Sequence, residues 1–229
     1  MKRILSIFLV ILLSTSLYAQ EKAAASGAYL AKDGQTNHLM LLIDGYLSYI
    51  KYEENKYLST WGGPYTSDAN GLTVKIEYSD ANPAEVGSEK TLRTKLSAQN
   101  VQIDGLDFKK QDAKKQGLDG LWRITGRQQD NKMSTIARGD RKTIKLLVDG
   151  YFQWIAINPA EKGFYGTGGG KYSFNNNDYV EEIVFFSRDN SRVGAKLTFK
   201  GEIKDKDWHH SGLSSKGDPI YELWSLDGR

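Results

Sequence analysis

The chain has 229 residues, 26% of them charged and 39% hydrophobic, with 31 Lys and Arg against 28 Asp and Glu, and no cysteine. The near-neutral balance, with no basic stripe interleaved with aromatics, argues against a nucleic-acid partner. The missing cysteines exclude disulfides and thiolate metal ligands, so stability must come from apolar burial and strand pairing.

In chain order, the first element is not part of the folded protein. Lys2 and Arg3 open the chain, Ile4 to Leu13 is apolar apart from Ser6, and Leu17-Tyr18-Ala19 precedes Gln20. This is the plan of a secretory signal peptide over residues 1–19, cut after Ala19. Its apolar run is too short for the roughly 20 residues of a spanning helix. The expectation is an exported protein (periplasmic, cell-surface or secreted) with no membrane span once the leader is gone. Without Lys2 and Arg3, 29 basic residues face 28 acidic ones, a charge of +1.

The remainder is written twice. LLIDGYLSYI (41–50) lines up with LLVDGYFQWI (146–155), STWGGPY (59–65) with GTGGGKY (166–172), and VGSEKTLRTKL (86–96) with VGAKLTFKGEI (193–203). Gly27-Ala28-Tyr29 matches Gly120-Leu121-Trp122 as an opening strand. Self-similarity at this spacing is a duplicated domain rather than a solenoid repeat. The expected division is a degenerate repeat over 26–112, a linker over 113–119 and a second barrel over 120–229. The lysine cluster FKKQDAKKQG (108–117) reads as solvated linker.

The shared pieces have strand character. Val193, Ala195, Leu197 and Phe199 alternate with Gly194, Lys196, Thr198 and Lys200, the period of a half-buried strand. Asp44-Gly45 and Asp149-Gly150 each sit between β-rich runs and fill a two-residue type I′ hairpin, which needs positive φ at both positions. The second copy is expected to hold eight short strands, near 121–127, 142–149, 151–157, 164–168, 171–175, 179–187, 193–204 and 220–226, with Gln128 to Arg138 as a loop or short helix over one end. Eight antiparallel strands in so short a segment suit a small closed barrel, which leaves no exposed sheet edge. The fold class is all-β, two tandem antiparallel barrels from an internal duplication, the first degenerate.

The Gly-x-Trp opening strand (Gly120-Leu121-Trp122), with FYGTGGGKYSF, YVEEIVFFSRDNSRVGAKLTF, WHHSGL and IYELWS, is similar to secreted lipocalin-like domains of unknown function from Bacteroidota, often named only "membrane or secreted protein". The resemblance covers the second copy closely and the first only through the duplication. It implies a calycin-type barrel with an internal ligand cavity, and no particular activity. Many lipocalins set an Arg on the last strand against the motif Trp; Leu226 stands near that place here.

Several residues could carry chemistry. Gly166-Thr167-Gly168-Gly169-Gly170-Lys171 lacks the Ser or Thr after Lys that a phosphate loop needs, so a bulge or barrel bend is the better reading. In YVEEIVFF both strand faces are largely apolar, which places Glu181 or Glu182 against apolar surface; an unpaired buried carboxylate costs several kcal/mol, of the order of 3 to 5, so it needs a partner. The first copy has Val74 opposite Glu181, so the architecture does not require that acid. Glu222 shares a face with Ile220, Trp224 and Leu226. Lys145 or Arg123 could neutralise either acid. Adjacent His209 and His210 would point to opposite faces, and with His38 alone besides them they make no metal set. Ser211 has no third group for a nucleophile triad.

The leading functional reading is a binding protein whose second barrel holds a small apolar or amphipathic ligand, with Trp154, Tyr172, Glu181, His209, Glu222 and Trp224 near the pocket. No cofactor, metal or catalytic residue is assigned. The alternatives are a structural or interaction module with filled barrels presenting loops to a protein or glycan, or a carboxylate-based enzyme using Glu181 and Glu222; the balance leans against an enzyme. A fold does not fix a function.

Overall fold

The computed structural model describes residues 26–68, 71–96, 100–112, 115–214 and 216–227. Residues 1–19, where the leader is expected, lie outside them. Among the described residues no helix is long and apolar enough to cross a membrane.

The chain forms two antiparallel sheets joined in tandem. The first comprises β1 (Gly27–Asp33), β2 (Thr36–Ile43), β3 (Tyr46–Glu53), β4 (Lys56–Asp68), β5 (Gly71–Lys75), β6 (Tyr78–Ser79), β7 (Glu89–Arg93), β8 (Lys95–Leu96), β9 (Asn100–Ile103) and β10 (Leu106–Lys110). They run in the order β7-β5-β4-β3-β2-β1-β10-β9-β8, with β6 against β4. Thr94 separates β7, which pairs with β5, from β8, which pairs with β9. The ladder therefore does not run right round, and this unit is a curled half-barrel, the degenerate partner. Phe108 to Lys110, read as the start of a solvated linker, instead belong to β10, with Phe108 fully buried.

The second unit has β11 (Gly120–Gln129), β12 (Lys132–Thr135), β13 (Lys142–Val148), β14 (Tyr151–Asn158), β15 (Gly163–Asn175), β16 (Asp178–Phe186), β17 (Lys196–Lys204), β18 (Asp207–Leu213) and β19 (Pro219–Leu226). β11 pairs with both β13 and β19, so eight strands close into a barrel and β12 is an extra arm. Closure sets Trp122 opposite Leu226. The Trp122 indole donates instead to the Leu118 carbonyl, and buried Leu118 plugs this end of the barrel.

Both Asp-Gly turns have the expected left-handed pair, with φ of 50° and 76° at Asp44-Gly45 and 50° and 74° at Asp149-Gly150. Three details differ from the sequence expectation. The strands expected near 164–168 and 171–175 are one continuous strand, β15, whose glycines make the expected bend: a Cβ on Gly169 or Gly170 would collide with the Phe152 or Glu182 carbonyl. Residues 207–213 form a strand, hidden in the sequence because WHHS carries histidines where apolar alternation is sought. Of Gln128 to Arg138, only Ile136 to Arg138 form a loop: Gln128 to Thr135 extend β11 into a hairpin with β12, turned at Asp130-Asn131 with both φ positive and all of β12 exposed.

Alternation sorts the side chains. Trp122, Ile124, Leu147, Phe152, Tyr179, Ile183, Phe199, Trp208 and Trp224 form the interior core of the second barrel. On β16 the register slips beside Gly170, leaving Val184 as an extra residue. The strand therefore changes phase there, and Phe185 turns to the outer face while Ile183 stays inside.

The outer face of β13 and β14 is the junction between the units. Ile144, Leu146, Val148, Ile155 and Ile157 share one buried cluster with Leu39, Leu41, Ile50 and Tyr52 of β2 and β3. Three of the polar contacts across it follow the duplication, while others, such as the Lys142–Glu77 salt bridge at 2.7 Å, are made once. Asp44 accepts from the Leu121 N–H at 3.0 Å, and Asp149 accepts from the Ala28 N–H at 3.1 Å. Ser48 donates to Gln153, its own counterpart in the other copy, with both fully buried. The two units thus meet through the same patch used twice, as in an isologous dimer interface.

Candidate functional site

The interior of the second barrel carries charge where the equivalent positions of the first do not. Lys145 on β13 projects inward at 3% exposure and Glu181 on β16 at 4%. The Lys145 ammonium donates to Glu181 Oε1 at 2.9 Å, and the Tyr179 hydroxyl donates to the same oxygen at 2.8 Å. The ammonium also lies 5.1 Å from the ring centres of Trp208 and Trp224 and 5.2 Å from Tyr179, within cation–π range. Of the two bases the sequence offered, Lys145 neutralises the acid. Arg123 faces outward.

A second pair lies beside the first. Glu222 Oε1 accepts from Arg127 at 2.7 Å, and its Oε2 accepts from the Trp224 indole at 3.1 Å and faces His210 Nδ1 at 3.3 Å. Burial alone would raise the Glu222 pKa, but His210, Lys145 and Arg127 outweigh it and hold the carboxyl at about 2. Burial and then the Lys145 ammonium hold His210 below the ordinary histidine value, which the carboxylates only partly offset. At neutral pH the pair is therefore an ionised Glu222 accepting the Nδ1–H of a neutral imidazole, whose Nε2 is buried without a hydrogen-bond partner.

The duplicate supplies the control. Following the ladders outward from Tyr29 and Trp122, Lys145 corresponds to Met40, Glu181 to Val74, His210 to Ile103 and Glu222 to Leu106. Met40, Val74 and Ile103 belong to the buried core of the first unit and Leu106 packs against it. The same positions in the same fold are filled by apolar side chains, so packing does not call for the four polar ones. Charged groups in an interior are costly to desolvate, and replacing a buried ion pair with well-packed apolar residues is often neutral or stabilising.

These groups border a hollow of about 470 Å³. Its apolar wall is Trp154, Ile183, Phe186, Leu197, Ile220 and Trp224. Its polar side is Lys145, Glu181, His210, Glu222 and Arg127. The volume falls in the range of small-molecule pockets, about 300 to 1,000 Å³. Four of the six residues expected near a pocket, Trp154, Glu181, Glu222 and Trp224, meet here. Tyr172 does not: it sits at the plugged end of the barrel, where its hydroxyl donates to Asp119. His209 does not either, since its ring faces Tyr221 at 2.7 Å and the neighbouring His210 takes the inward position. Arg127 and His210 are the residues the sequence reading missed. His210 has a signal in retrospect, lying two residues after Trp208 on the inward face. Among the described residues no group of three or more His, Asp and Glu could hold a metal ion.

No family model and no curated protein matches the chain. Among solved structures, it is similar to an uncharacterized protein from Bacteroides eggerthii DSM 20697, with 17% identity and a TM-score of 0.33 over 47% of this chain and 98% of that one.

The ionisation of Glu222 has a measurable consequence. A carboxyl whose folded pKa lies below its ordinary 4.5 contributes stability that is complete above that value and is lost as pH falls toward about 2. Between pH 6 and pH 3 this group should cost the wild type about 2 kcal/mol. In Glu222→Gln that component should vanish from urea-unfolding curves taken at the two pH values. Equal pH dependence in the two proteins would refute the assignment.

Proposed function

We propose that the second barrel is a binding module for a small amphipathic molecule, its apolar part against Trp154, Phe186 and Trp224 and its polar part toward the Lys145–Glu181 and His210–Glu222 pairs. The observation that carries this reading is the contrast at equivalent interior positions: Met40, Val74, Ile103 and Leu106 in the first unit, and in the second the buried Lys145–Glu181 ion pair and the His210–Glu222 contact beside a 470 Å³ hollow. The lipocalin-like sequence features support it, and so does the leader-like start, which suits a carrier or receptor working outside the cytoplasm. Within the cavity Lys145 is paired with Glu181 and Arg127 with Glu222, leaving Asp218 on the exposed lining, which favours a polar uncharged head, such as a hydroxyl or amide, over a free carboxylate.

The test has two arms. Native mass spectrometry of protein purified from its own host should show a bound small molecule. Purified protein titrated with a series of long-chain alcohols and amides should show saturable quenching of tryptophan emission, weakened at least tenfold by Trp154→Ala. Repeated recovery of the bare mass together with flat titrations would end the proposal.

A further inference from the structure

A second hollow, of about 630 Å³, opens on the outer side of the same barrel end, between β11, residues 136–142 and the segment after β14. Five cationic side chains border it: Arg123, Arg127, Arg138, Arg141 and Lys142. Only two carboxylates do, Asp140 and Glu161. Three of the cations are already engaged, Arg127 with Glu222, Arg138 with Asp227 and Lys142 with Glu77.

The other two are not engaged by acids. Arg123 is 8% exposed, donates to the Gly139 carbonyl, and makes no ion pair among the described residues. Arg141 likewise has no carboxylate partner, its guanidinium lying 3.9 Å from the centre of the Tyr165 ring. A guanidinium keeps its charge in proteins, so a buried one without a counter-ion is an exception to the rule that buried charges are paired. The neighbouring Asn158 amide, also nine-tenths buried on this lining, has its Oδ1 without a partner. Turning that amide over would present its N–H groups instead.

The barrel does not need the arginine. Arg123 corresponds through the ladders to Leu30, which packs against the shared core between the units. A guanidinium has therefore replaced, or been replaced by, an apolar residue at a position that folds either way. Its planar donor fork matches two oxygens of a carboxylate or phosphate.

We propose that this cleft is an oxyanion-binding site, in which Arg123 and Arg141 grip a carboxylate or phosphate group of a small molecule. It meets the barrel cavity only at Arg127 and Thr143 and does not depend on what that cavity holds.

Isothermal titration of the full chain with inorganic phosphate and, separately, with citrate at low ionic strength tests this. Saturable binding of at least one anion is expected, weakened tenfold or more in Arg123→Leu, severalfold in Arg141→Gln, and unchanged in Lys132→Gln on the exposed arm. The stronger of the two anions identifies the group the cleft prefers. Leu30 indicates that Arg123→Leu will fold; should it not, exposed Arg141 decides the matter alone. No saturable heat with either anion in the wild type, or variants that bind as tightly as wild type, would overturn the proposal.

Discussion

Lys145→Met should destabilise the protein by about 3 to 5 kcal/mol, and adding Glu181→Val should recover most of that loss. The single change removes the one cation that faces Glu181 at 2.9 Å and leaves a carboxylate at 4% exposure among Tyr179, Trp208 and Ile183, with only the Tyr179 hydroxyl still donating to it. The double change installs the pair the first unit already uses at these places, Met40 and Val74, both fully buried. The size of the recovery is the coupling between the two sites, which urea unfolding of the four proteins at pH 7 measures as a double-mutant cycle. If the double variant proved as unstable as Lys145→Met, the two positions would not be interchangeable between units. The claim that packing does not require the ion pair would then fall. The same double variant should lose ligand quenching while staying folded, which separates what the pair does for binding from what it does for the fold.

The comparison of the two units also explains what could be read from the residues alone. The Asp-Gly turns were legible because a type I′ hairpin makes a local demand that few dipeptides meet. That Asp44 and Asp149 also reach across to the opening strand of the other unit was not legible, because it depends on how two sheets dock. Alternation grouped Glu222 with Ile220, Trp224 and Leu226, but on β16 it left Glu181 and Glu182 open, and only the comparison with Val74 drew attention to Glu181. Alternation failed at Phe185, where the extra residue Val184 shifts the phase by one, and it was never applied to 207–213, whose histidines disguise a strand. Had that strand been recognised, the Trp208–His210 spacing would have placed His210 inside and His209 outside. Tyr172 lies on the inner face as alternation requires, but the distance along the barrel from plugged end to open end decides whether a residue meets a ligand, and periodicity does not report that distance. Arg127 lay beyond reach because its approach to Glu222 joins β11 to β19, the first and last strands of the barrel.

The matched contacts at the junction lead to the other large effect. Expressed alone, the second unit should form a homodimer rather than a monomer. Its outer face, Ile144, Leu146, Val148, Tyr151, Ile155 and Ile157, is covered in the full chain by the equivalent strands of the first unit. A second copy can cover it in the same way, since the apolar strands and the two aspartate contacts have their counterparts, although the Lys142–Glu77 salt bridge does not. Asp149, which accepts from the Ala28 N–H, would accept from the Leu121 N–H of the other copy, the bond Asp44 makes now. At the centre Gln153 would meet Gln153 in place of Ser48, a larger pair in a fully buried position, so the dimer should be looser than the covalent arrangement. Sedimentation velocity of residues 115–229 should then show a dimer at micromolar concentration. Asp149→Ala should weaken it by about one to two orders of magnitude, as expected for two symmetric charge-assisted hydrogen bonds of about 1 to 1.5 kcal/mol each. A folded monomer at that concentration would mean that the junction depends on differences between the units and not on what they share.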